Sequence, residues 1–117
     1  MERLLRACVN SWNGLGFALR SEAAFRQELA VFVLAIPLAF LLTDGAWKRL
    51  MLLGVLVLLM VVELLNTAIE KLCDRVNLEI DPQIGRVKDM GSSAVGLTLL
   101  LAGAIWLLAL VERIGWL

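Results

Sequence analysis

The sequence predicts an all-α membrane protein in which an N-terminal amphipathic surface helix precedes three transmembrane helices. Of its 117 residues, 61% are hydrophobic, against roughly 45–50% in soluble domains. Three stretches, 29–43, 50–62 and 90–111, contain no charged residue. The last could cross a hydrocarbon core of about 30 Å at about 1.5 Å per residue. We expect one domain, 1–117, with a surface helix at 1–20 and spans at about 27–44, 47–74 and 88–112.

The first twenty residues form the predicted surface helix. Apolar residues recur at helical spacing at Leu4, Cys8, Trp12, Leu15 and Leu19. This pattern is typical of a helix that lies in a membrane surface. Asn10 and Asn13 interrupt the apolar run that a signal peptide would need. Gly14 and Gly16 are expected to kink or end the helix, and Ser21 to cap the next one.

The flanks of the charge-free runs complete the three spans. Glu22, in the expected first turn of the first span, suits the positive end of a helix dipole. Pro37 within that span is acceptable in a membrane helix. Asp81, Pro82 and Gly85 predict a turn between the second and third spans.

Lysines and arginines set the expected orientation. With three spans, one side holds eight of them: Arg3, Arg6, Arg20, Arg26, Lys71, Arg75, Arg86 and Lys88. The other side holds Lys48, Arg49 and Arg113. The side with more positive charge is expected to be cytoplasmic, and it includes the N-terminus. Cys8 and Cys73 lie on that side and are expected to be reduced apolar fillers. The net charge of zero says little about partners, because the charges are segregated along the chain. We expect no nucleic-acid partner.

A polar stripe runs along the end of the second span. Glu63, Asn66, Glu70 and Asp74 are spaced i, i+3, i+7 and i+11, which places them on one helical face. Glu63 lies about 14 residues, or roughly 21 Å of helix, beyond Lys48 and Arg49. It therefore sits just inside the cytoplasmic interface. A carboxylate at that depth is costly and marks a candidate functional site.

Polar residues flanking the other spans reach the same level. They are Glu22, Arg26, Glu28, Lys88 and Asp89. The chain has no His and no Tyr, so a general base would be a carboxylate. Carboxylates also suit Mg²⁺ held by one or two side chains and by substrate phosphates. Because phosphoryl transfer depends mainly on positioning and electrostatic stabilisation, these groups are sufficient for it, with Lys88 neutralising phosphate charge.

Three motifs resemble the prokaryotic diacylglycerol kinase family. They are Glu22-Ala23-Ala24-Phe25-Arg26-Gln27-Glu28, Val62-Glu63-Leu64-Leu65-Asn66-Thr67-Ala68-Ile69-Glu70 and Lys88-Asp89-Met90-Gly91-Ser92. The resemblance implies a homotrimeric bundle in the bacterial cytoplasmic (inner) membrane, with active sites shared between chains. It also implies transfer of the γ-phosphate of ATP, with Mg²⁺ as cofactor, to diacylglycerol, giving phosphatidic acid in phospholipid metabolism.

The resemblance also implies a role for each site residue. Glu63 would be the general base, Asn66 would hold the site's geometry, and Glu22 and Glu70 would bind the metal. ATP would be bound by Arg3, Asn10, Glu22, Glu70, Lys88 and Asp89. The lipid substrate would be bound by Arg3, Ala24, Phe25, Arg26, Gln27, Glu28, Glu63 and Ser92.

Two other functions stay open on the residues alone. Undecaprenol kinases share the stripe motif, but their first motif lacks the run from Ala23 to Glu28, which favours diacylglycerol. A small multidrug-type transporter also carries an intramembrane glutamate, but it needs that acid near the midplane and normally has four spans. The charges from Glu70 to Arg75 could equally be a solvated helix end.

Overall fold

Four α-helices make up the parts of the chain that the computed structural model describes, residues 1–76 and 81–116. They are α1 (Glu2–Ser21), α2 (Ala23–Leu42), α3 (Ala46–Val76) and α4 (Pro82–Arg113). By length and composition, α2, α3 and α4 could each cross a membrane. The prediction of an all-helical chain with three such helices is confirmed.

Helix α1 runs through the positions where the sequence predicted a break. Gly14 and Gly16 lie inside it, because a glycine costs a helix about 1 kcal/mol without removing any backbone hydrogen bond. The predicted capping role of Ser21 is wrong. Ser21 is the last residue of α1, and its hydroxyl donates to the carbonyl of Phe17 at 2.8 Å. The non-helical residue that precedes α2 is Glu22.

The joint between α1 and α2 is fixed by Arg26. Its Nη1 donates to the carbonyl oxygens of Leu19 at 2.9 Å and Arg20 at 3.1 Å. Carbonyls at the end of a helix have no partner within it, so this guanidinium satisfies two of them. The contact attaches the end of α1 to the first turn of α2.

Helix α3 packs against α2 on one side and, most extensively, α4 on the other. Its buried residues Leu52, Val55 and Leu59 follow helical spacing. The buried residues of the neighbouring helices include the small side chains Ala35 and Ala39 of α2 and Ala102 of α4. Small side chains let membrane helices approach closely. Helices α2 and α4 touch each other little, which leaves a groove between them over α3.

The start of α4 differs from the predicted turn. Asp81 is the N-cap, and its carboxylate accepts a hydrogen bond from the backbone nitrogen of Gln83 at 2.8 Å. Pro82 occupies the first helical position, where its missing N–H costs nothing. The assignment of Gly85 to the turn is wrong, because it lies inside α4. The preceding part of that connection, residues 77–80, lies outside the described residues.

Ion pairs join the opposite end of the bundle. Lys48 pairs with Glu112, and Arg113 with Asp44 at 3.6 Å. They link the beginning of α3 and the α2–α3 connection to the end of α4. Further along the bundle, the indole Nε1 of Trp106 donates to the carbonyl of Leu52 at 3.1 Å. Helices α3 and α4 are therefore connected along their length.

Candidate functional site

The polar stripe of α3 forms the centre of the candidate site. Glu63 is half-buried, Asn66 is buried, and Glu70 and Asp74 are exposed. The side-chain amide of Asn66 donates from Nδ2 to Oε1 of Glu70 at 3.2 Å. The stripe therefore becomes more exposed to solvent towards its Glu70 and Asp74 end. Asn66 lies between Glu63 and Glu70 along the helix and is hydrogen-bonded to Glu70.

Two further carboxylates approach this stripe from the start of α2. Glu22 forms an ion pair with Lys71 of α3, with 3.0 Å between Oε1 and Nζ. The carboxylate of Glu63 interacts electrostatically with those of Glu70 and Glu22, and Glu28 interacts with Glu63. Four acidic side chains, from α2, α3 and the residue that precedes α2, therefore share one end of the bundle.

Helix α4 contributes a cation to the same end. Lys88 is half-buried and its ammonium forms an ion pair with Asp74, the last member of the stripe. Asp89 follows on the exposed surface of α4. The structure thus brings Lys88 to the outer end of the stripe.

The donor chemistry at this end fits Mg²⁺ held with a nucleotide. Among the residues that the structure describes, no three Asp, Glu, Cys or His side chains form a group able to hold a metal ion. Glu22 and Glu70 offer two carboxylates. Mg²⁺ commonly uses one or two such ligands and takes the rest from phosphates and water. The pair is chemically suitable for a metal that arrives with a phosphorylated substrate.

The predicted lipid residues fall in different environments. Ala24, Gln27 and Ser92 are exposed, and Glu28 is half-buried. Phe25 is only 3% exposed and packs inside the chain. Arg26 caps α1, as described above. Gln27 and Glu28 line the groove between α2 and α4.

That groove is almost entirely apolar and has a volume of about 760 Å³. Besides Gln27 and Glu28, its walls are Val31, Leu34, Ala35, Leu38, Leu56, Leu59, Leu99, Ala102, Gly103 and Trp106. The Oε1 atom of Glu28 is buried and has no hydrogen-bond partner within the described part of the chain. One groove therefore combines a hydrocarbon-like wall with a polar end that interacts with Glu63.

Arg3 and Asn10 stay apart from this cluster. Both are exposed in the first half of α1. They border a shallow cleft formed by residues of α1 and the residue before it: Met1, Glu2, Arg3, Arg6, Ala7 and Asn10. The second half of α1 reaches α3, where Phe17 lies 5.4 Å from the Lys71 ammonium, measured to the ring centre. Within this chain, α1 reaches α3 beside the stripe, through Phe17 at Lys71, and Arg3 and Asn10 lie elsewhere on α1.

Sequence reasoning misses two contacts at the site. The sequence allows Lys71 to be part of a solvated helix end, yet Lys71 pairs with Glu22. The sequence also predicts no contact of Gly91 within the site, yet a Cβ atom at Gly91 would lie 2.3 Å from Oδ1 of Asn66. Neither contact has a sequence signal, because each joins residues that are far apart along the chain.

The fold and the site together define a small helical membrane protein with a carboxylate cluster at one end of its spans. Residues 9–110 match the family model described as prokaryotic diacylglycerol kinase. The chain belongs to the prokaryotic diacylglycerol kinase family. Together with the three apolar helices, this membership supports a membrane location.

Relatives align over most of their length. A diacylglycerol kinase of Escherichia coli strain K12 is 41% identical over 113 residues, covering 97% of this chain and 93% of the relative. One of Pseudomonas aeruginosa is 42% identical over 106 residues, covering 91% and 86%. One of Haemophilus influenzae is 34% identical over 106 residues, covering 91% and 90%. The resemblance seen in the three sequence motifs is confirmed.

Proposed function

We propose that this chain phosphorylates diacylglycerol with ATP, giving phosphatidic acid at the cytoplasmic surface of the bacterial inner membrane. The observation that carries the proposal is the meeting of the carboxylate cluster with the apolar groove at Glu28. A lipid substrate needs a hydrocarbon wall, and phosphoryl transfer needs charged groups in water. The diacylglycerol kinases named above supply the substrate class.

Glu63 is the proposed general base. The oxygen of the lipid hydroxyl attacks the γ-phosphorus of ATP, its proton passes to the Glu63 carboxylate, and ADP leaves with the electrons of the broken phosphorus–oxygen bond. Glu63 suits this role because it is half-buried and lies between the groove acid Glu28 and the more exposed Glu70. A positioned general base of this kind typically increases the reaction rate by about 10²- to 10⁴-fold.

Glu22 and Glu70 are the proposed ligands of Mg²⁺, which would neutralise charge on the ATP phosphates. Asn66 holds the Glu70 carboxylate through its amide. Lys88 and Asp89 contact the nucleotide from α4, and Arg3 and Asn10 contact ATP or the lipid from α1. In this arrangement Lys88 leaves its ion pair with Asp74 and pairs with the ATP phosphates when the nucleotide binds.

The lipid lies along the groove with its hydroxyl at the polar end. Gln27 and Glu28 line that end, and Ala24 of α2 and Ser92 of α4 are exposed. The substrate set predicted from the motif also includes Arg3, Phe25, Arg26 and Glu63. Since Phe25 is buried and Arg26 caps α1, we assign these two to shaping the entrance.

The assembly proposed is a homotrimer with sites shared between chains, and α1 lies in the membrane surface. Its exposed apolar residues, which include Leu4, Leu5, Val9 and Trp12, suit an interfacial position. The Lys and Arg distribution supports a cytoplasmic N-terminus. Undecaprenol remains the competing acceptor lipid, whereas family membership favours a kinase over a transporter.

One assay tests the proposal. Purified protein in mixed micelles is given γ-labelled ATP, Mg²⁺ and either diacylglycerol or undecaprenol, and the labelled lipid is separated. We expect labelled phosphatidic acid and little undecaprenyl phosphate, and no product without Mg²⁺. Preferred labelling of undecaprenol would make undecaprenol the substrate in place of diacylglycerol. Absence of both labelled products would overturn the proposed kinase activity.

A further inference from the structure

The contact between Gly91 and Asn66 joins α4 to the centre of the site. Gly91 is buried. An added Cβ would lie 2.3 Å from Asn66 Oδ1, 3.4 Å from its Cγ and 4.0 Å from its Cβ. Real Cβ contacts essentially never fall below 3.0 Å. The Asn66 amide therefore occupies the space that any side chain at position 91 would need.

The orientation of this amide is fixed by what lies on its other side. Nδ2 donates to the Glu70 carboxylate at 3.2 Å. Turning the amide over would place Oδ1 against a carboxylate oxygen, which is repulsive and loses the hydrogen bond. Oδ1 is thus directed towards Gly91, where it is buried and has no hydrogen-bond partner among the described residues. Asn66 is 8% exposed, so it has little room to adopt another rotamer.

We infer that Gly91 is a positioning residue for the kinase reaction: its missing side chain lets Asn66 hold Glu70 in place. This inference rests on the proposed function of Glu70 as a metal ligand. Gly91 follows Lys88 and Asp89 by less than one helical turn. The same turn of α4 therefore presents the nucleotide-binding residues and keeps the metal-binding acid oriented.

The expected effect of Gly91→Ala follows from the distances. Ordinary contact begins near 3.4 Å, so the Asn66 amide must move by about 1 Å, which is enough to break a hydrogen bond of 3.2 Å. A displacement of about 1 Å in a catalytic group can cost about 10²-fold in rate. We expect kcat to fall by roughly that factor and the Mg²⁺ midpoint to rise. The KM for diacylglycerol should stay within about twofold, because no groove residue changes.

Gly96→Ala is the matched control. Gly96 lies on the same helix, and apart from its chain neighbours and the adjacent backbone of α4, no atom of the described chain lies within 4 Å of the position that a Cβ would occupy there. The same methyl group at this position should leave kcat, the Mg²⁺ midpoint and thermal stability unchanged. Both variants gain equal helix propensity from the exchange, so the difference between them isolates the contact with Asn66.

A binding measurement separates positioning from simple loss of folding. Mn²⁺ binding is followed by electron paramagnetic resonance with a non-hydrolysable ATP analogue in wild type, Gly91→Ala, Asn66→Ala and the double variant. We expect both single variants to weaken Mn²⁺ binding, and the double variant to match Asn66→Ala within about twofold, because truncation removes the atom that clashes. If Gly91→Ala fails to assemble, the double variant decides the question. Assembly of the double variant would support the inference, and failure of the double variant to assemble would overturn the inference.

The inference is overturned if Gly91→Ala behaves like Gly96→Ala. It is also overturned if the double variant binds Mn²⁺ more weakly than Asn66→Ala by the same factor that separates Gly91→Ala from wild type. In that case the alanine at position 91 would act through something other than the Asn66 amide. Failure of the proposed function looks different. Wild type would then phosphorylate no diacylglycerol, while the comparison of Mn²⁺ binding among the variants would still report on the contact.

Discussion

Replacing Lys71 by methionine should make the protein respond to lower Mg²⁺ concentrations. The ammonium of Lys71 lies 3.0 Å from Glu22 Oε1, where it would compete with the proposed metal ion for that carboxylate. Methionine has a similar length and no charge. It can also keep the contact with Phe17, because a thioether packs favourably against an aromatic ring.

The size of the shift follows from the exposure of the pair. The Lys71 and Glu22 side chains are 50% and 27% exposed, so solvent screens their interaction. Pairs of this kind contribute about 0.2–1 kcal/mol. Removing that competing interaction should lower the Mg²⁺ midpoint by about 1.4- to 5-fold, since about 1.36 kcal/mol corresponds to tenfold.

The assay is a Mg²⁺ titration of phosphatidic acid formation at saturating diacylglycerol and a fixed concentration of ATP. Lys48→Met is the matched control, because Lys48 pairs with Glu112 at the opposite end of the bundle. It should leave the midpoint unchanged. A Mn²⁺ titration by electron paramagnetic resonance checks the same shift without turnover.

An unchanged or higher midpoint in Lys71→Met would refute the reasoning. A higher midpoint together with a raised KM for ATP would show that Lys71 binds the nucleotide phosphates. An unchanged midpoint would show that Glu22 does not hold the metal, and that its pairing with Lys71 serves only to attach α3 to the joint between α1 and α2.

The remaining predictions address the acids and the assembly. Glu63→Gln should lower kcat about 10²- to 10⁴-fold with MgATP binding intact by calorimetry; near-native turnover would exclude Glu63 as the base. Glu22→Gln and Glu70→Gln should each raise the Mg²⁺ midpoint at saturating lipid, and wild-type midpoints in both would favour a solvated helix face. When inactive variants of Glu22, Glu63, Glu70 and Lys88 are unfolded and co-reconstituted in pairs, some pairs should regain activity. Pairs that all stay inactive, while wild type recovers under the same treatment, would place each site within one chain.

Much of the fold was predictable because its signals are local. Charge-free runs locate α2, α3 and α4, and spacing along α3 alone places Glu63, Asn66 and Glu70 on one face. The errors came from residues with a strong local preference, Ser21 and the glycines Gly14, Gly16 and Gly85. At these positions the helix keeps its own backbone hydrogen bonds, and these outweigh the preference for a cap, a break or a turn.

The contacts between helices were not predictable in the same way. Lys71 with Glu22 and Gly91 with Asn66 depend on how two helices rotate about their own axes. Sequence periodicity identifies an apolar face but gives neither that rotation nor the partner helix. The motifs could therefore nominate Glu22 and Asn66 for the site, but they could not supply the lysine or the glycine that each one contacts.

A single residue, Glu22, stands between α1 and α2, with extended backbone angles of φ −117° and ψ 109°. Those two rotations set the angle at which α1 leaves the bundle, and they also set the direction of the Cα–Cβ bond from which the Glu22 carboxylate projects. If Glu22 binds the metal as proposed, the tilt of α1 on the lipid surface and the geometry of the metal site cannot vary independently. Bilayer thickness, curvature or detergent choice would then act on phosphoryl transfer mechanically, through one peptide joint.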